Sequence, residues 1–163
     1  MIEVTTREKI FIDFIKENQN YFYRIAFFHV KDEDVAMDIV QEAIVKAFQK
    51  RYTLRKIDFM KTWFYRILLN ECNLYFRKNK KILFIPDYEF YENKLSIKDQ
   101  TDQNDLYDAI DGLNPKLKTI VILYFFEGMK LEEISKITHT NLSTVKSRLY
   151  KALDILKIKM EAI

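Results

Sequence analysis

The sequence predicts an all-α protein built as two small helical domains joined by a flexible linker. Three observations lead there. Apolar residues recur at helical spacing through most of the chain. Glycine and proline number only two each in 163 residues, far below the usual ~7% and ~5%, so tight turns are few and sheet-rich folds are disfavoured. Between two periodic stretches lies a polar segment, residues 79–104, too long for the interior of one compact domain.

The elements follow in order. Residues 8–30 form a first helix, with Ile12, Ile15, Phe22 and Ile25, and their neighbours Phe11, Phe14, Ala26 and Phe28, recurring at helical spacing. A charged turn at 31–34 leads to a second helix, residues 34–50. Its stripe is Ala36, Ile39, Val40, Ala43, Ile44, Ala47 and Phe48, and acids near its start suit the helix dipole. A polar loop, 51–59, precedes a third helix over 60–78. There Phe64, Ile67, Leu68, Cys72 and Tyr75 make the buried face, while Arg66, Asn70, Asn73 and Arg77 share the opposite one. Periodicity then fades and Pro86 interrupts the chain. The second module starts near Asp105, with Leu106, Ala109, Ile110 and Leu113 on a short helix. Asn114 and Pro115 open the next, as N-cap and first helical residue, and Gly128 ends it. A short helix over 131–138 is followed by a turn at His139, where a left-handed backbone is expected. The last helix, 142–160, carries Val145, Leu149, Leu153 and Leu156. The domain boundaries are thus 1–80, 81–104 for the linker, and 105–163.

Composition excludes several function classes. A single cysteine, Cys72, rules out an internal disulfide. With His29 and His139 far apart, no zinc site is expected. His29 reads as satisfied packing and Cys72 as buried and inert. No apolar run approaches the ~20 residues of a membrane span, and the first residues lack a signal-peptide pattern. A cytoplasmic protein is expected, with no cofactor and no membrane insertion. No nucleophile–base set, glycine-rich loop or metal cluster points to an enzyme.

The net charge of +3 conceals segregation. Residues 32–42 hold five acids and no base. Residues 50–81 hold ten bases against Asp58 and Glu71. Residues 87–105 are acidic again. Such blocks suit different partners. In the basic block, cations interleave with Tyr52, Phe59, Trp63, Phe64, Tyr65 and Phe76, a composition that grips single-stranded nucleic acid through backbone charge and base stacking. The same aromatics also serve as core, and both readings stand; Tyr52 and Lys56, on the loop, fit the first better. The acids Asp34, Asp38 and Glu42, with Gln41, fit a solvated helix face or an electrostatic docking surface for a basic protein partner. The final two helices have helix-turn-helix proportions. Ser143, Thr144, Lys146, Ser147, Arg148 and Lys151 fall on the exposed face of the last one, hydroxyls and cations suited to phosphates and base edges. A plain amphipathic hairpin has the same spacing.

Asp38-Ile39-Val40-Gln41-Glu42-Ala43, followed by Trp63-Phe64-Tyr65-Arg66-Ile67 with Asn70 and Arg77-Lys78, resembles region two of an extracytoplasmic-function (ECF, group IV) RNA polymerase sigma factor. Leu113-Asn114-Pro115, Tyr124-Phe125-Phe126-Glu127-Gly128, Leu131-Glu132-Glu133-Ile134 and Thr144-Val145-Lys146-Ser147-Arg148-Leu149 resemble region four. The match is collinear over nearly the whole chain. His139 stands where the family has a turn glycine, and Lys130 where it has a serine N-cap.

The resemblance implies a promoter-specificity subunit of RNA polymerase without catalytic activity. Asp34, Asp38, Gln41 and Glu42 would bind core polymerase. Arg51, Tyr52, Lys56, Lys61, Trp63, Arg66, Asn70, Arg77 and Lys78 would recognise and melt the minus-10 element. Asn141, Ser143, Thr144, Lys146, Ser147, Arg148 and Lys151 would read the minus-35 element. The implied partners are core RNA polymerase, promoter DNA and an anti-sigma factor. The alternative is a stand-alone helix-turn-helix regulator using the second module only, which leaves the basic block unexplained.

The two promoter elements lie roughly 25 base pairs apart, or ~85 Å of B-DNA. A flexible linker of this length typically spans ~25–30 Å and reaches ~85–95 Å only when fully extended. The isolated protein is therefore expected to footprint a promoter poorly and the holoenzyme to footprint both elements; equal DNase footprints with and without core would refute this.

Overall fold

The computed structural model describes residues 5–79 and 102–162, and the helical expectation holds throughout them. The linker assigned to 81–104 lies outside the described residues except for its last three. The chain divides into two compact units, Met1–Lys78 and Asn79–Ile163.

The first unit contains α1 (Thr6–Val30), α2 (Glu33–Gln49) and α3 (Met60–Asn79), with two short 3-10 turns, Arg51–Thr53 and Ile57–Phe59, between α2 and α3. Thr5 and Glu8 form a reciprocal capping box at the start of α1. Lys31 ends it in the left-handed conformation, φ 56°, so α2 can start two residues later. Asp32 caps α2, its Oδ1 accepting the Val35 N–H at 3.0 Å.

Two kinds of packing build the core. Ala26, Ala36, Ala43 and Ala47 are fully buried, and these small residues let the α1 and α2 backbones approach closely. Against α3 the filling is aromatic. Phe22 and Phe64 are both inaccessible, with ring centroids 4.3 Å apart; Phe14 meets Phe64 edge-on at 5.8 Å and Tyr65 meets Phe22 at 5.5 Å. Deleting a buried ring costs about 3–5 kcal/mol, against about 1 kcal/mol for a cap, so the rings dominate the stability of this unit. Lys46 of α2 and the buried Glu71 of α3 add a 2.5 Å ion pair.

The apolar stripes are narrower than expected in two places, where only one of two neighbouring stripe residues is buried. Phe11, not Ile12, enters the core. Ala47, not Phe48, does so on α2; Phe48 is 48% exposed. Neighbouring helical residues diverge by about 100°, so one buried position leaves the next outside. Ile67 and Tyr75 of α3 are half-buried, while Tyr65 and Leu69 are buried. His29 is buried and packs as expected, its Nδ1 bonding to the Ile25 carbonyl at 2.7 Å. Cys72 is fully buried; burial, aided by Glu71, pushes its thiol up to about 12, which leaves it unreactive.

The second unit contains α4 (Asp102–Asp111), α5 (Pro115–Val121), α6 (Leu131–Thr138) and α7 (Leu142–Glu161). Asn114 caps α5, accepting the Leu117 N–H at 3.0 Å, with Pro115 at the first position. The end of α5 widens into a π turn, Ile122–Phe126, a local variant that periodicity does not reveal. Gly128 closes it at φ 64° with open space where a Cβ would stand, so backbone conformation alone requires glycine there. Ala109, Ile110, Leu113, Leu117, Val121, Ala152 and Leu156 form one continuous core. Ala152, rather than the half-buried Leu153, takes the inner position on α7.

His139 has φ 51° and ψ 41°, the left-handed conformation expected at the helix-turn-helix corner. Its N–H caps Ser135 O, and the Thr140 N–H reaches the same carbonyl at 3.1 Å. A Cβ in this region is costly. His139→Gly should therefore raise the stability of the second unit by up to about 1 kcal/mol, visible as a higher Tm in thermal unfolding; a lowered Tm would show that the imidazole makes an overriding contact.

Candidate functional site

Three surfaces gather the candidate residues. The first is on α2. Asp34, Asp38, Gln41 and Glu42 are all exposed, and their spacing places them on one side of the helix. Met37 and Val45 are about half exposed, 52% and 49%. They lie four residues to either side of Gln41, so a narrow apolar strip runs beside the acids. Sequence reasoning passed over these two because it sought only the buried stripe. The local field is negative: the Tyr23 hydroxyl is pushed above its usual range by desolvation and then by Glu33, Asp34 and Asp32.

The second surface is the loop between α2 and α3 with the outer side of α3. Of the six aromatics in the basic block, Phe64 and Tyr65 are core, whereas Tyr52 is 80% exposed and Phe59 is largely exposed. Lys56, Lys61, Asn70, Asn73, Arg77 and Lys78 are exposed and Arg66 is half-buried. Trp63 is half-buried: its ring meets Phe11 edge-on at 6.3 Å and its Nε1–H donates to Thr53 Oγ1 at 3.2 Å. Arg51 is turned onto its own chain, donating from Nη1 to the Phe48 carbonyl at 2.8 Å and lying 4.2 Å from the Phe48 ring centroid. Both surfaces belong to the first unit, and the Lys46–Glu71 pair links the helices that carry them.

The third surface is the start of α7. Asn141 precedes it at φ −58° and ψ 143°, without a side-chain cap bond. Ser143, Lys146, Ser147 and Lys151 are exposed; Thr144 and Arg148 are half-buried at the edge of the face. The Ser147 hydroxyl donates to the Ser143 carbonyl at 3.0 Å. Tyr150, 64% exposed, adds an aromatic to this face that sequence reasoning missed; its distance of three residues from Ser147 and four from Lys146 is the signal that locates it. Opposite, Val145, Leu149 and Ala152 hold α7 to the rest of the unit. Among the described residues no group of three His, Cys, Asp or Glu side chains is placed to hold a metal, and no helix is long and apolar enough to cross a membrane.

A helical unit with an acidic and an aromatic–basic surface, followed by a helix-turn-helix unit, has the layout of a two-module DNA-binding protein. Comparison with known proteins specifies it further. Residues 14–82 match Sigma-70 region 2 and residues 103–156 match Sigma-70, region 4. The RNA polymerase sigma factor SigV of Bacillus subtilis is 41% identical over 155 residues, covering 95% of this chain and 93% of that one. The ECF RNA polymerase sigma-E factor of Haemophilus influenzae is 26% identical, covering 96% and 90%. The fold matches that of the sigma factor RpoE, solved in complex with the anti-sigma factor NepR from Bartonella quintana. That match has a TM-score of 0.70 and 22% identity over 91% of this chain and 97% of that one. The chain belongs to the sigma-70 family and is an extracytoplasmic-function sigma factor. It is an alternative specificity subunit that binds core RNA polymerase and directs promoter-specific transcription initiation.

Proposed function

We propose that the three surfaces divide initiation among themselves. Asp34, Asp38, Gln41 and Glu42, with Met37 and Val45 beside them, dock on core polymerase. The loop and the outer side of α3 recognise and melt the minus-10 element through Tyr52, Lys56, Lys61, Trp63, Arg66, Asn70, Arg77 and Lys78. Asn141, Ser143, Thr144, Lys146, Ser147, Arg148, Lys151 and Tyr150 face the minus-35 element. On this reading residues 1–80 and 105–163 are the two functional domains and 81–104 their connection. The observation that carries it is the exposure of Tyr52 and Phe59 beside cations: a core demands neither ring, and a single strand uses both. Melting then needs no hydrolysis, because lost base pairs are exchanged for stacking and pocket contacts. The chain accordingly has no catalytic activity of its own and acts in the cytoplasm. An anti-sigma factor is a fitting further partner, as NepR is for the RpoE of the same fold.

Run-off transcription on genomic promoter fragments, with purified core polymerase, tests the whole reading. Starts dependent on the added protein are expected, and their upstream sequences define the motif. Asp38→Ala combined with Gln41→Ala should weaken core binding with an unchanged circular dichroism spectrum; unchanged core affinity removes α2 from the docking surface. Arg148→Ala should cost about 1–3 kcal/mol on the matching minus-35 sequence and little on a scrambled one if it makes a bidentate base contact. A uniform loss in competition binding by the holoenzyme marks a phosphate contact instead.

A further inference from the structure

The loop that carries Tyr52 is held from below by residues outside the basic block. Glu8, in the first turn of α1, uses both carboxylate oxygens. Oε2 accepts the Thr5 N–H at 3.3 Å in the capping box, and Oε1 lies 3.4 Å from Arg51 Nε. Arg51 in turn donates from Nη1 to the Phe48 carbonyl in the last turn of α2. The neighbouring Arg7 donates from Nη2 to the Leu54 carbonyl, and the Leu54 side chain is buried. Thr53 closes the set, donating from Oγ1 to the Lys50 carbonyl at 2.7 Å and accepting from Trp63 Nε1 at 3.2 Å. Residues 51, 53 and 54 are thus each anchored, while Tyr52 between them projects into solvent.

We propose that the first turn of α1 is a positioning clamp for this loop, with Arg51 its anchor rather than a DNA contact. Arg7 and Glu8 are positioning residues for promoter opening, acting through Arg51 and Leu54. The proposal rests on the loop being the minus-10 surface. A loop already ordered need not be ordered when the strand binds, so the clamp strengthens opening without touching nucleic acid. A guanidinium with an acid, a carbonyl and a ring around it is also poorly placed to serve a phosphate.

Charge gives the proposal a distinctive sign. Removing an acid near a DNA surface ordinarily strengthens DNA binding. The clamp predicts the opposite for Glu8→Gln. Glutamine retains the capping box, so the variant loses the ion pair while the helix cap remains. The pair is partly exposed, 44% and 28% for the two side chains, so the effect is modest, about threefold.

The experiment uses the full-length protein in holoenzyme, on a promoter identified by run-off mapping. Permanganate reactivity of minus-10 thymines measures opening across a salt series. Glu8→Gln and Arg51→Gln should each reduce opening about threefold, and the double variant should be no worse than the more affected single variant. The slope of log opening against log salt should stay unchanged in Arg51→Gln. Thr5→Ala, which removes the cap hydroxyl alone, should lower Tm and leave opening intact, separating positioning from stability. Equal or increased opening with Glu8→Gln overturns the proposal. So does a slope reduced by about 0.7–0.9 in Arg51→Gln, the mark of a lost phosphate contact. Tyr52→Ala is the check on the underlying reading. If it opens the promoter normally, the loop is not the minus-10 surface and the clamp falls with it; if Tyr52→Ala fails while Glu8→Gln is normal, only the clamp falls.

Discussion

The contact between Phe22 and Phe64 constrains most of the first unit. Two inaccessible rings with centroids 4.3 Å apart set how α1 and α3 face one another. Once Phe64 points inward, the 100° step of the helix sends Asn70, Asn73 and Arg77 outward. The outward surface of α3 therefore follows from apolar packing on its other side. Alanines play the corresponding part between α1 and α2. Ala36, Ala43 and Ala47 turn the buried side of α2 inward, and Asp34, Asp38, Gln41 and Glu42 are left exposed.

This arrangement gives the charge segregation a structural meaning. The acidic block of residues 32–42 and most of the basic block of residues 50–81 occupy different helices of one small unit. The Lys46–Glu71 pair crosses between those helices with Glu71 buried. Removing one partner of such a pair leaves a charge poorly solvated, which is costlier than the pair itself is favourable. The helix of the acidic surface and the helix of the aromatic–basic surface are thus tied by this ion pair.

Local chemistry made much of this legible in the sequence. Asn114-Pro115, Gly128 and His139 announce helix ends through properties of single residues, and each stands where expected. The spaced motifs around Gln41, Trp63 and Thr144 located the candidate surfaces in the same way. What was not legible depends on precision of phase or on distance. Periodicity finds a stripe but not which of two neighbours is its centre: of Phe11 and Ile12, and of Ala47 and Phe48, all assigned to the stripes, only Phe11 and Ala47 occupy the core. The π turn at Ile122–Phe126 breaks the period itself. The internal partners of Arg51 were invisible for a different reason: Glu8 lies in another helix, 43 residues away in sequence. Nothing in a basic block distinguishes a cation aimed at DNA from one held by its own chain.

Cys72 has a practical consequence. It is the chain's single thiol, and the core seals it with its ionisation pushed up to about 12. A maleimide dye added at neutral pH finds almost no thiolate there. Cysteines introduced at the exposed Glu17 of α1 and Asp108 of α4, outside the three candidate surfaces, can then carry donor and acceptor fluorophores without altering the native residue. The molecule is in effect a blank background for energy transfer, on which the separation of its two units can be followed as polymerase and promoter are added.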